Sequence, residues 1–167
     1  MEITIWFLCL YFSNLIIISI IDVRERSVPT ALLLLNLSLG VLIGTNLFSL
    51  NRSILGSFIG GISFLILQYL GKCFNSSIKI RHDRPIGVPG FGNADVLMAI
   101  MIGALLGKEY VILGLITPLN LAAIFCVFHI IISISRRKYQ PFDTVPLIPF
   151  MAVGSTIILL YVCVSID

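Results

Sequence analysis

Residues 90–108 read Gly90-Phe-Gly-Asn-Ala-Asp95-Val-Leu-Met-Ala-Ile-Met-Ile-Gly-Ala-Leu-Leu-Gly107-Lys108. From Val96 to Gly107 every residue is apolar or glycine, with no polar face at helical spacing. That is the pattern of a helix with apolar surroundings on all sides. An aspartate stands at its head. From Asp95 to Lys108 is 13 residues, about 20 Å of helix, while the hydrocarbon core of a bilayer is about 30 Å thick. If the run spans a membrane and Lys108 marks its far surface, Asp95 lies below the near one. A carboxylate at that depth is costly unless it has a partner or a task.

The rest of the chain has the same character. Of its 167 residues 58% are hydrophobic and 11% charged, and the mean hydropathy is +1.08. A soluble domain carries about 25% charged residues. Five further apolar blocks, Thr4–Ile21, Val28–Leu50, Ile54–Gly71, Val111–Ser133 and Val145–Val164, join Asn93–Gly107 to predict six spans. The expected fold is therefore all-α, a polytopic membrane helical bundle forming one integral-membrane domain over residues 1–167. Only Lys72–Gly92 is long enough to be a real loop. The first block is expected to be a retained span and not a signal peptide, because no basic segment precedes it and no small-residue cleavage site follows. A net charge of +3 is too small to suggest a nucleic-acid partner. Cys9, Cys73, Cys126 and Cys163 form no C-x-x-C pair and suggest neither a metal site nor a disulfide framework.

The basic residues set the orientation. The first, third and fifth connections hold Arg24 and Arg26; Lys72, Lys79, Arg81 and Arg84; and Arg136, Arg137 and Lys138. The opposite side holds only Arg52 and Lys108. Short loops rich in Lys and Arg stay in the cytoplasm. Both termini are thus expected outside, and Asp22, at the end of the first span, shares the cytoplasmic side with Asp95.

Small-residue spacings at Gly40–Gly44, Gly56–Gly60 and Gly103–Gly107 suggest close helix contacts. Pro118 is expected to kink the fifth span, and Pro146 and Pro149 to make the start of the sixth irregular.

Two carboxyl groups a few ångströms apart share a proton, and the pair titrates as a unit. The ionised member can take a proton from water as it attacks a peptide carbonyl, while the protonated member stabilises the developing oxyanion. No metal or cofactor is required. The glycines before Asp95 would let a substrate backbone come close. Other readings stay open on residues alone. Asp22 could pair with Arg24 or Arg26 at the membrane edge, and Asp95 could serve its own helix dipole. The acids could also be ion or proton ligands of a small transporter or channel subunit. His129 reads as a packing residue, His82 and Asp83 as solvated, and Asp143 as a possible third acid.

Three stretches share their order and spacing with a known family. Ile21-Asp22-Val-Arg-Glu-Arg-Ser-Val28-Pro29 has an aspartate followed seven residues later by proline, with basic residues between. Gly90-Phe-Gly92-Asn93-Ala94-Asp95-Val96 is similar to a glycine-rich stretch ending in G-x-G-D-V. Val145-Pro146-Leu-Ile-Pro149-Phe150, followed by Gly154, is similar to a late P-x-x-P-F segment. Together they resemble the type IV prepilin (leader) peptidases, membrane aspartyl proteases of the G-x-G-D type. The resemblance runs from the first span to the sixth. It implies that Asp22 and Asp95 are the catalytic pair. It places Gly90, Gly92, Asn93, Ala94, Pro146 and Pro149 in the substrate-binding loops. It implies a bacterial plasma membrane setting and removal of short basic leaders from type IV prepilins or pseudopilins.

The chain departs from the family pattern at three places. Ala94 stands where glycine usually precedes the aspartate, Leu97 where lysine is common, and Thr30 where asparagine often follows the proline. Ala94 keeps an inactive assembly scaffold among the readings. Many members carry a cysteine-containing region that methylates the new N-terminus, and its absence here predicts a peptidase without methyltransferase activity.

Overall fold

The computed structural model describes residues 2–25, 27–82, 92–135 and 146–166. Its order is α1 (Glu2–Glu25), α2 (Thr30–Leu47), α3 (Leu50–His82), α4 (Asn93–Ser135) and α5 (Ile148–Ile166). There is no strand among the described residues. Trp6–Glu25, Thr30–Leu47, Leu50–Phe74 and Asn93–Ser135 are long and apolar enough to cross a membrane, and Ile148–Val164 is a shorter apolar helix.

The 43 residues of α4 do not run straight. At Gly107 the backbone leaves helical geometry, with φ +67° and ψ 177°. Positive φ strains a residue with a Cβ, so glycine suits this break. Beyond it the chain doubles back. Gly114 lies against Ile102 and Leu106, although a straight helix would carry it about 18 Å past Ile102. α4 is thus a hairpin of two limbs, the pair of blocks the sequence separates at Gly107.

The first limb is the post of the bundle. Every residue from Met101 to Gly107 is buried. Many large side chains nonetheless point outward: Ile16, Ile20, Phe58, Ile62, Phe128 and Leu160 are all exposed. In lipid, apolar area gives helices little reason to associate, and close backbone packing takes its place. The glycines provide it. A Cβ on Gly56 would strike the Gly103 carbonyl, and one on Gly103 would strike that of Gly56. Gly60 meets the Ala99 carbonyl and Gly44 that of Ala104 in the same way. Ser53 adds a hydrogen bond, its Oγ donating to the Ala104 carbonyl at 2.6 Å. On the far side of the post Gly154 of α5 packs on the ring of Pro118. The backbone stays helical through Pro118, with Gly107 the sole non-helical position within α4.

Two expectations about boundaries need correction. Lys72–Gly92 is not all loop, because α3 continues through the basic segment to His82. Residues 72–82 contain no glycine or proline, and a helix leaving lipid has no reason to stop until a breaker arrives. Likewise α1 runs past Ile21 to Glu25, so Asp22 sits within its last turns and not after its end. Pro29 halts any continuation and precedes α2 with φ −58° and ψ 124°.

Asp22, Asp95 and the start of α5 lie at one end of the bundle. At the other end Arg52 Nε approaches Glu109 Oε1 at 3.5 Å, and Phe48 lies against Tyr110 with ring centroids 6.2 Å apart. Both charged groups remain substantially exposed. Solvated pairs of this kind contribute about 1 kcal/mol at most. Arg52→Gln is therefore expected to leave the thermal unfolding midpoint in detergent within a few degrees of the parent. A drop beyond about 8 °C would show that the pair fixes the α3–α4 geometry.

Candidate active site

Asp95 occupies the first turn of α4, where the free N–H groups of a helix start favour a carboxylate. Its Oδ2 accepts a hydrogen bond from the backbone N–H of Gly92 at 2.8 Å. With Gly92 as the flanking residue, Asp95 is three residues in and reaches back as an acidic residue does in a capping box. Asn93, the first residue of the helix, is held from α3: Gln68 Nε2 donates to Asn93 Oδ1 at 3.0 Å.

Asp22 hangs from the last turns of α1. The backbone N–H of Ile148, at the start of α5, faces its carboxylate. Its Oδ2 is buried with no hydrogen-bond partner among the described residues. Two helix starts, those of α4 and α5, therefore converge on the two acids. The carboxylates lie near enough for their charges to interact. Their backbones do not touch. No Cα of α1 comes within 8 Å of a Cα of α4 among the described residues, and α1 packs instead on α2 and α5.

The other expected site residues distribute around this pair. Gly92, Asn93 and Ala94 form the head of α4 beside Asp95. A Cβ on Gly92 would meet Asp95 Oδ2 at 3.7 Å, an ordinary contact, so no packing among the described residues demands glycine there. Pro146 lies just before α5 and Pro149 in its first turn, bracketing the Ile148 N–H that faces Asp22. Pro149 is tolerated in that turn because its missing N–H would have had no helical partner. Gly90, Asp83 and Asp143 lie outside the described residues. His129 is exposed and stacks on Phe125, with centroids 6.1 Å apart. No cluster of three potential metal ligands occurs among the described residues.

Two clefts flank the acids. A groove of about 700 Å³ runs between α1 and α5 past the turn that carries Asp22, with Leu15, Ile16, Ile20, Val153 and Ile157 in its walls and Arg24 at its mouth. A second, of about 510 Å³, lies among the starts of α2 and α4 and the side of α3.

Gln68 and the Ile148 amide were not anticipated from the sequence. A polar residue late in an apolar block is a weak signal for the first, and a backbone N–H carries none for the second. Deeper in the bundle, Asn14 Nδ2 donates to the Leu32 carbonyl at 3.2 Å. The Tyr11 hydroxyl and the Asn36 amide are buried with no hydrogen-bond partner among the described residues.

The sequence profile of the type IV leader peptidase family matches residues 9–160. No curated protein and no solved structure gives a significant match.

Proposed function

The chain belongs to the type IV leader peptidase family, and from this premise we propose that it is a membrane aspartyl endopeptidase with Asp22 and Asp95 as its catalytic pair. The observation that carries the proposal is the convergence of the two acids at one end of the bundle, each facing a backbone N–H at a helix start. A conduction path would favour acids spread along the bundle axis.

One carboxylate takes a proton from water as the oxygen attacks the scissile carbonyl carbon. The other carboxyl donates its proton to the carbonyl oxygen. When the tetrahedral intermediate collapses, the C–N bond breaks, the amine takes the proton that the first carboxylate drew from water, and the second carboxylate recovers its proton from a hydroxyl of the intermediate. The leader departs with a new carboxylate. Neither metal nor cofactor enters this scheme. Among the described residues nothing lies closer to a Cβ at Gly92 than Asp95 Oδ2 at 3.7 Å, which suits a substrate backbone passing close to Asp95.

The substrates are type IV prepilins or pseudopilins, each an apolar helix behind a basic leader. We count the two limbs of α4 as two crossings, which gives six in all, and put the acids on the cytoplasmic side of a bacterial inner membrane and both termini outside. The distribution of Lys and Arg supports that orientation, since Arg52 and Lys108 lie at the end away from the acids. The apolar helix would lie along the α1–α5 groove, whose walls are lipid-like and which ends beside Asp22.

The test is direct. The purified chain in phospholipid vesicles is incubated with a single-span peptide bearing a basic leader, and the products are weighed by mass spectrometry. Loss of the leader at one bond is expected, and an uncut substrate overturns the proposal. With S-adenosylmethionine added, the new N-terminus is expected to stay unmethylated, since this chain has no C-x-x-C pair. A gain of one methyl mass would sink that part alone.

A further inference from the structure

Serine and threonine within a helix have a partner close at hand. The hydroxyl turns back and donates to a carbonyl three or four residues earlier on its own helix. Ser13, Ser38, Ser57, Ser63, Thr117 and Thr156 all do this, at 2.7–3.0 Å. Ser53 turns away from its own helix and bonds the Ala104 carbonyl instead. Ser19 does neither. Its Oγ is buried with no hydrogen-bond partner among the described residues, although Leu15 and Ile16 stand four and three residues before it on α1. One turn further along, Asp22 Oδ2 is also buried and without a partner among the described residues.

Positions i and i+3 of a helix are neighbours, with Cβ atoms about 5–6 Å apart. Side chains lean toward the helix start, so the carboxyl of Asp22 inclines over the turn that carries Ser19. Both residues face α5. Ser19 lines the groove together with Pro149 and Ala152, and Asp22 meets the Ile148 N–H. We infer that Ser19 is a positioning residue for Asp22, its hydroxyl pairing with Oδ2 in the substrate complex. The assignment rests on the peptidase reading of the two acids. Rotation of the two side chains closes the bond without moving backbone, and catalytic hydrogen bonds commonly tighten only in the complex.

A hydroxyl suits this place because an aspartate that shares a proton has two forms. The hydroxyl donates to the carboxylate and accepts from the protonated acid, whereas a backbone N–H can only donate. Ser19 can therefore hold Asp22 in one orientation while its proton leaves and returns. Asp95 is oriented by the Gly92 N–H at the head of its own helix. Asp22 rides on a helix without backbone contact to α4 among the described residues. A support on its own helix moves with it wherever α1 sits.

The test is the kinetics of Ser19→Ala, Ser19→Thr and Ser19→Val on a single-span peptide with a basic leader, in phospholipid vesicles. Rates are normalised to the folded fraction measured by size exclusion in detergent. Ser19→Ala is expected to lower kcat about tenfold and to leave KM within about twofold, the loss of one hydrogen bond to a charged group. Threonine and valine have nearly the same shape and differ in the hydroxyl. Ser19→Thr is expected to keep kcat within about threefold of the wild type, and Ser19→Val to fall as far as Ser19→Ala. A role in the groove wall alone gives another pattern, in which KM moves and the two larger side chains behave alike. If Ser19→Ala keeps the parental kcat, or if Ser19→Thr falls as far as Ser19→Val, the assignment is wrong while the peptidase reading stands. If the wild type leaves the substrate uncut, the peptidase reading falls and takes the positioning role with it.

Discussion

Asp95→Asn and Asp22→Asn are each expected to abolish leader removal, with the rate falling about a thousandfold or more, while the protein still accumulates in the membrane. Asparagine matches aspartate in size. At position 95 its side-chain oxygen can still accept from the Gly92 N–H, so the head of α4 keeps its cap. At position 22 the oxygen can still meet the Ile148 N–H. What each variant loses is the exchangeable proton, and with it either the base that activates water or the acid that neutralises the oxyanion. The double variant should be no slower than the worse single one, because groups that act as a unit are not additive. Leader removal is read on a gel in cells that coexpress the prepilin, with membrane content measured in the same samples. Processing at the wild-type rate by either variant would falsify the dyad. A fall of only twofold or threefold would point to a purely structural role for that acid.

The second large effect is on stability. Gly103→Leu is expected to lose on the order of 3 kcal/mol or more, the upper range for overpacking a close contact. The Cβ at this position would strike the Gly56 carbonyl, which belongs to a helix backbone and cannot rotate aside. Gly56→Leu should do the same from the other side. Gly61→Ala is the contrast. Its added methyl meets only the Ile100 side chain, Cγ1 at 2.9 Å, and an isoleucine can yield where a carbonyl cannot. Thermal unfolding in detergent, followed by far-ultraviolet circular dichroism, compares the three. The Gly103 and Gly56 variants should melt far below the parent or fail to accumulate, and the Gly61 variant should stay close to it. Equal midpoints for Gly103→Leu and the parent would mean that α3 and α4 separate readily, contrary to their backbone contact.

Much of this was legible in the chain, for identifiable reasons. The run Val96–Gly107 announces a helix in apolar surroundings because nothing in it favours water; that it forms the core of the bundle was not legible, since Ile16 and Phe58 also stand in apolar runs and are exposed. The hairpin break at Gly107 is visible as Gly-Lys-Glu between two apolar runs. The Asp22 and Asp95 motifs bring together residues 73 positions apart. The extent of α3 was not legible, because hydropathy reports where lipid ends and not where hydrogen bonding ends. Nor was the contact of Asp22 with the Ile148 amide, since every residue but proline has that group and only the fold decides where it points. The cleft that Thr30 and Leu97 share is formed by three helices, and no local pattern encodes that packing.

Among the described residues α1 and α4 make no backbone contact, and this has a mechanical meaning. One acid is mounted on a post wedged carbonyl to glycine against its neighbours; the other rides on a helix whose backbone contacts, among the described residues, are with α2 and α5. The gap between them has no ruler of its own. Its width follows the packing of two intermediary helices, so on the proposed reading small repacking in α2 or α5 is expected to slow turnover before it threatens folding. The machine has one jaw bolted down and one on a slide, and wear shows first in its timing.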